Sequence, residues 1–210
     1  MDIVVIVGEN SAEAFQEKLD AAAPGRFLAA ALPCGDWDRD LSPWPAPAAF
    51  KKGGDFAGGA PSFLPAAVGA IEKAGEKLAS PPARRIIAGY SLAGLFALWT
   101  LTRTPAFDCA ACASPSLWFP GWLDFLRAHP LLPARPGVAL SLGDREEKTR
   151  NPVLAAVGDG VRGTRDLLLS QGIPCTLRMD PGGHFEDAEN RTVRTILDLL
   201  RPEERRDMPV

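Results

Sequence analysis

The residues of this chain whose types and spacing could do chemistry are one serine, one histidine and a short run of carboxylates, each in a turn that carries glycine. Ser91 is the most defined of them. It stands in Arg84-Arg85-Ile86-Ile87-Ala88-Gly89-Tyr90-Ser91-Leu92-Ala93-Gly94-Leu95-Phe96. A β-branched run ends in Gly-x-Ser-x-Ala-Gly and passes at once into an apolar, helix-favouring segment. That is the layout of a strand, a tight turn and a helix, with small residues on either side of the serine so that the backbone can bend and expose the hydroxyl. The usual second glycine is replaced by Ala93, with Gly94 beside it. The same layout serves a buried strand-turn-helix whose serine only caps the helix, so the motif needs partners before it means catalysis.

A serine hydroxyl becomes a nucleophile when a base takes its proton, and the base needs a third group to hold its ring. The chain has two histidines. His129 closes a short helix before Pro130, whereas His184 sits in Pro181-Gly182-Gly183-His184-Phe185, directly after an expected strand. The acid is expected in Gly143-Asp144-Arg145-Glu146-Glu147. Glu146 lies beyond the first bend of that loop, where its side chain can turn back toward the histidine. Asp144 is nearer the strand end and can instead brace the turn, and Glu147 is a third choice. Serine, acid, histidine is the chain order of α/β-hydrolases. An oxyanion hole would take the N–H of Leu92 and a second donor from the loop after the first strand, at Glu9 or Asn10.

The elements that must position these groups follow from periodicity. Continuous apolar or β-branched runs predict strands at 3–7, 26–32, 84–90, 107–113, 138–142 and 174–179. Helical spacing predicts helices at 11–22, 61–80, 92–104, 122–128, 151–172 and 186–200. Residues 33–60 show neither period but hold Trp37 and Trp44, and a stretch of that kind inside a domain is usually functional. Strict alternation predicts an open, mostly parallel six-stranded sheet covered on both faces, as a single domain over 1–210. Ligands of such sheets bind at the carboxyl ends of the strands, where the Ser91, Glu146 and His184 turns all fall. Trp37, Trp44, Trp118 and Phe119 lie in the two long loops that would roof the serine. Asp38, Arg39, Trp37 and Trp118 are the expected substrate contacts, and an apolar roof favours an acyl or aromatic ester of modest size.

Composition narrows the alternatives. The chain has 210 residues, 46% hydrophobic and 23% charged, with a net charge of −3. No basic field offers itself to nucleic acid. No apolar run is long enough for a membrane span, and the start Met1-Asp2-Ile3-Val4 does not read as a signal peptide, so a cytoplasmic protein is expected. Cys109 and Cys112 form C-x-x-C on an expected strand, where residues three apart face opposite ways, which suits neither zinc nor a redox pair. Gly158-x-Gly160-x-x-Gly163 lies inside an expected helix and reads as close helix packing, not a dinucleotide site. Asp36, Asp38 and Asp40 alternate as in a calcium loop, but Leu41 stands where glycine is required. No cofactor or metal is implied, and the oligomeric state is open.

Gly89-Tyr-Ser-Leu-Ala-Gly-Leu-Phe, Ala113-Ser-Pro-Ser-Leu-Trp118, Gly143-Asp-Arg-Glu146 and Gly183-His-Phe185 together resemble the esterase branch of the α/β-hydrolases that includes esterase D-like enzymes and siderophore esterases, and within it a short bacterial subgroup. The segment Arg39-Asp-Leu-Ser-Pro-Trp44, followed by Gly53-Gly54 and Phe63, is similar to that group's loop between the second strand and its helix. The resemblance implies a three-layer α/β-hydrolase fold without the usual antiparallel opening strands. It also implies Ser91 as nucleophile, His184 as base and Glu146 as acid, although some members work with a serine-histidine pair. A carboxylic or thio-ester would be cleaved through an acyl-enzyme. The rival expectation is a non-catalytic relative that keeps the fold as a ligand-binding or interaction module.

Overall fold

The computed structural model describes residues 1–49 and 53–200. Strands β1 (Asp2–Val7), β2 (Phe27–Leu32), β5 (Arg85–Tyr90), β6 (Cys109–Ala113), β7 (Gly137–Gly143) and β8 (Cys175–Asp180) form one sheet, ordered β2-β1-β5-β6-β7-β8. Every neighbouring pair in it is parallel. A parallel sheet needs cover on both faces. The alternate residues of β1 divide accordingly: Ile3, Val5 and Val7 enter one apolar cluster, Val4 and Ile6 the other. Helices α1 (Glu13–Ala22) and α8 (Ala188–Leu197) cover the second face through Phe15, Leu19, Val193 and Ile196. On the first lie α3 (Ala60–Gly75), α4 (Leu92–Leu101), α5 (Trp122–Ala128) and α7 (Val157–Ser170). The result is a three-layer α/β architecture.

Helix α4 is apolar on every side and all ten of its residues are buried. It is the central helix of the first face, packed on β5 and β6. The chain runs out from β1 to β2 and then returns to β5 on the other side of β1. That reversal leaves a crevice at the carboxyl ends of β1 and β5, and the register pairs Val7 with Gly89 across it. The loops after β1 and β5 therefore open side by side.

The expected boundaries shift where local chemistry overrides periodicity. The first helix starts at Glu13, whose N–H bonds Ser11 Oγ at 3.1 Å, so Ser11 caps from one residue further out than a standard N-cap. The third helix ends at Gly75, short of the 80 that its apolar spacing predicted, and single turns carry the chain to β5. The 33–60 stretch is partly regular. It contains α2 (Trp37–Asp40), capped by Asp36, and a two-residue antiparallel ladder between β3 (Pro45–Ala46) and β4 (Phe56–Ala57); residues 50–52 of it lie outside the described residues. The short helix α6 (Pro152–Ala155) precedes α7, opened by Asn151 accepting from the Val153 N–H at 3.0 Å. In α7, Gly160 and Gly163 let the helix approach closely. A Cβ at Gly160 would stand 2.2 Å from the Leu117 carbonyl oxygen, and one at Gly163 3.0 Å from Leu123. The glycine spacing there serves packing. No helix among the described residues is long and apolar enough to cross a membrane.

Candidate active site

Ser91 occupies the turn between β5 and α4 with φ 55° and ψ −119°. A non-glycine residue in that region is strained by roughly 1–3 kcal/mol, and neighbouring backbone holds it there. The Ser91 N–H donates to the Ala113 carbonyl at 3.0 Å, extending the β5–β6 ladder, and the Ser91 carbonyl accepts from the Ser116 N–H at 3.0 Å. Both small residues around the serine have steric jobs. A Cβ at Gly89 would lie 2.4 Å from the backbone C and O of Ala93. Ala93 is tolerated in place of the usual glycine because Gly89 opposite it has no side chain. Gly89→Ala is therefore expected to push α4 off the turn. The overpacking cost is about 1–3 kcal/mol, a fall in Tm of about 2–4 °C per kcal/mol in a chain of this size, readable by thermal circular dichroism.

Three loops bring the predicted groups to this turn. His184 Nε2 lies 3.0 Å from Ser91 Oγ, and His184 Nδ1 lies 2.7 Å from Glu146 Oε2. The Glu146 side chain is 2% exposed and that of His184 29%. The other carboxyl oxygen, Oε1, accepts from Ser114 Oγ at 2.6 Å, the Gly143 N–H at 2.7 Å and Arg191 Nη1 at 2.7 Å. Burial by itself would raise the Glu146 carboxyl. The hydrogen bonds from His184, Ser114 and Gly143 outweigh it and hold the group below the usual carboxylate range. Asp144 is placed differently: its carboxylate accepts the Gly182 N–H at 2.9 Å and so braces the β7 loop against the β8 loop. Glu147 pairs with Arg162 at 2.8 Å, away from the histidine.

A cleft of about 290 Å³ opens over the serine. Ser91, Ser116, His184 and Glu146 line it together with the apolar Trp118, Leu154, Val157 and Phe185, and Arg145, Lys148 and Thr149 complete the lining. Phe185 is 90% exposed at the mouth, and Arg145 is tied to Glu186 at 2.7 Å. Of the four expected substrate contacts, Trp118 lines the cleft. Trp37, Asp38 and Arg39 do not: they sit on α2, where the Trp37 ring covers Gly8 and Arg39 pairs with Asp40 at 2.7 Å. Trp44 and Phe119 pack on each other and around Phe125 and Phe56 beneath the loops. The N–H of Leu92 opens α4 directly behind the serine, the position from which a helix start can face an anion. Glu9 lies just past the end of β1, its carboxyl raised by burial and then by Glu189.

Sequence reasoning gave no role to Tyr90, Ser114, Ser116 or Arg191. Ser116 Oγ stands 3.3 Å from Ser91 Oγ, and the Tyr90 hydroxyl donates to the His184 carbonyl. Ser114 holds a left-handed backbone at φ 43°, a signal no sequence displays. Arg191 falls within the helix expected at 186–200 and is fully buried. Cys109 and Cys112 belong to opposite apolar clusters, as residues three apart on a strand must, and burial pushes the Cys109 thiol up to about 11.

Sheet, elbow and loop order make this an α/β-hydrolase fold. No family model and no curated protein matches the chain, whereas solved structures do. The siderophore hydrolase EstA from Aspergillus nidulans is 22% identical with a TM-score of 0.72, over 94% of this chain and 82% of its own. An IroE-like serine hydrolase from Shewanella oneidensis is 16% identical with a TM-score of 0.72, over 94% and 68%. The enterobactin hydrolase IroE, solved in complex with DFP, is 21% identical with a TM-score of 0.65, over 94% and 81%. The chain shares its fold with siderophore and enterobactin esterases.

Proposed function

We propose that this chain is a serine hydrolase that cleaves a carboxylic or thio-ester through an acyl-enzyme. The observation that carries the reading is the unbroken line from Ser91 Oγ through His184 Nε2 and Nδ1 to Glu146 Oε2, at 3.0 and 2.7 Å. Ser91 attacks the ester carbonyl while His184 Nε2 takes its proton. The tetrahedral oxyanion draws on the Leu92 N–H and on a second donor at Glu9 or Asn10 in the loop after β1. Collapse expels the alcohol or thiol, protonated by the same Nε2, and leaves the acyl group on Ser91 Oγ. Water, deprotonated by His184, then attacks the acyl carbon; the bond to Ser91 Oγ breaks, His184 returns the proton to that oxygen, and the acid leaves. Glu146 stays ionised throughout, orients the ring and stabilises the imidazolium.

The fold neighbours bear the names siderophore hydrolase, enterobactin hydrolase and serine hydrolase, which supports an ester substrate. A cleft of about 290 Å³ sits at the lower end of the sizes of ligand pockets. It suits a short acyl chain or one aromatic arm of a larger ester, held between Trp118 and Phe185. The test is a panel of p-nitrophenyl esters from acetate to decanoate, an acyl thioester and enterobactin. Turnover is expected to favour short acyl chains, with a burst of p-nitrophenol equal to the enzyme present. No turnover of any member, with a panel compound still raising Tm, would return the chain to the ligand-binding alternative. The contact of serine, histidine and glutamate speaks against that alternative. We place the enzyme in the cytoplasm as part of the same reading.

A further inference from the structure

The molecule buries one cation at the centre of this site, and nothing in the acyl-transfer steps employs it. Arg191, on the first turn of α8, is 0% exposed. Its Nη1 reaches Glu146 Oε1 at 2.7 Å, Ser114 Oγ at 2.7 Å and the Tyr90 hydroxyl at 3.1 Å. Its Nη2 reaches the carbonyls of Pro181 and Gly183, both at 3.3 Å. One guanidinium therefore ties the acid, the strand-end residues of β5 and β6, and the loop that carries His184. Gly143 has room for no side chain: a Cβ there would lie 2.4 Å from the Gly182 carbonyl oxygen, 2.9 Å from Glu146 Oε1 and 3.1 Å from Arg191 Nη1.

We propose that Arg191 is a positioning residue that acts through Glu146, keeping the His184 base unprotonated to lower pH than a glutamate–histidine pair would by itself. The proposal rests on the assignment of His184 as the base. The two carboxyl oxygens of Glu146 do different work. Oε2 faces the imidazole, while Oε1 already holds a buried cation and two neutral donors. A carboxylate with a full cation on one oxygen attracts a second cation less, so formation of the imidazolium is restrained. Tyr90 is uncharged and donates to the His184 carbonyl. Asp180 on β8, 3.8 Å from Arg191 Nε, is itself held by Arg194 and Arg178. Asp187 pairs with Arg194, and Arg145 with Glu186 at the rim. Asp144 accepts a backbone N–H. Among these neighbours the cation in direct contact with the acid is Arg191.

The test follows the two histidines by NMR as pH is varied, with His129, stacked on Phe125 4.2 Å away, as the internal reference. Arg191→Met keeps volume without charge, Arg191→Gln keeps a donor without charge, and Arg191→Lys keeps charge without the fork. The His184 midpoint is expected to rise by about one pH unit or more in the Met and Gln variants, the size of shift that one close charge produces. It should stay near the wild-type value in the Lys variant, whose kcat still falls because the Pro181 and Gly183 carbonyls lose their donor. The acid limb of kcat/KM should move with the midpoint. Midpoints that are the same in all four proteins would overturn the proposal, even with activity lost, because a purely structural role moves no proton. If the Met variant does not fold, the Gln variant carries the comparison; if neither neutral variant folds, a Lys variant whose midpoint rises by as much as one unit is the overturning result. Should the wild-type protein hydrolyse no ester, the functional reading fails while the titration still decides the role of Arg191.

Discussion

Ser91→Ala is expected to abolish labelling by a fluorophosphonate and to lower kcat for p-nitrophenyl acetate by on the order of 10⁶-fold, the loss seen when a nucleophile of a unit-acting triad is removed. At about 1.36 kcal/mol per tenfold, that is roughly 8 kcal/mol of barrier. The folded state should lose little by comparison. The hydroxyl bonds His184 Nε2 at 3.0 Å and Ser116 Oγ at 3.3 Å, and both partners border the open cleft, where water can replace it. Ser91→Gly separates chemistry from strain. It should be equally inactive yet more stable than the alanine variant, because glycine adopts φ 55° at no steric cost. Labelling that survives in Ser91→Ala would transfer the nucleophile to another residue. Ser116, 3.3 Å away, would be the first to examine.

The second large effect separates the candidate acids. Glu146→Gln keeps the shape of the side chain but presents an amide N–H to His184 Nδ1, which forces the ring into the wrong tautomer. A loss of about 10⁴-fold in kcat is expected, as when a triad aspartate becomes asparagine. Glu146→Ala should cost stability as well, about 3–5 kcal/mol, because it strands a fully buried Arg191 cation. Asp144→Ala should stay within about tenfold of wild type, since that side chain braces the Gly182 N–H and does not touch the histidine. An Asp144 variant more impaired than Glu146→Gln would reverse the assignment. The depressed Glu146 carboxyl also fixes a pH dependence. With its folded value below the ordinary glutamate value of about 4.5, the group contributes stability that is fully present above about pH 4.5 and is lost as pH falls through the folded value. Urea unfolding between pH 7 and 3 should show that loss in the wild type and a smaller one in Glu146→Gln.

Much of the fold was legible because its signals are local. The four inner strands β1, β5, β6 and β7 are short apolar runs with both faces buried, and such runs read the same before and after folding. The spacing of Phe63, Leu64, Ile71 and Ala74 marks a helix face in the same way. The loop 33–60 was not readable in detail. Its four-residue helix and two-residue ladder are below the length at which periodicity rises above chance, and they form because Asp36 caps one and the Ser42 hydroxyl accepts the Gly58 N–H beside the other. That is also why Trp37, Asp38 and Arg39, expected over the serine, lie off the cleft lining.

By itself the sequence determined the alternation of strands and helices, the small-residue turn around Ser91 and the chain order in which a serine, an acid and a histidine arrive at one edge of the sheet. Those depend on residue type and spacing within a few positions. The tertiary structure alone decided that Glu146 and not Asp144 meets His184, that Ser114 adopts a left-handed backbone to reach the acid, and that Arg191 leaves solvent to sit under both. Each depends on residues tens of positions apart closing on one point, Arg191 lying 45 residues from Glu146 and 101 from Tyr90, and no local pattern encodes such a distance. The turn carrying Ser91 shows both sides. Its glycine and serine are written in the chain, but the tolerance of Ala93 is visible only when its Cβ is seen opposite a residue that has none.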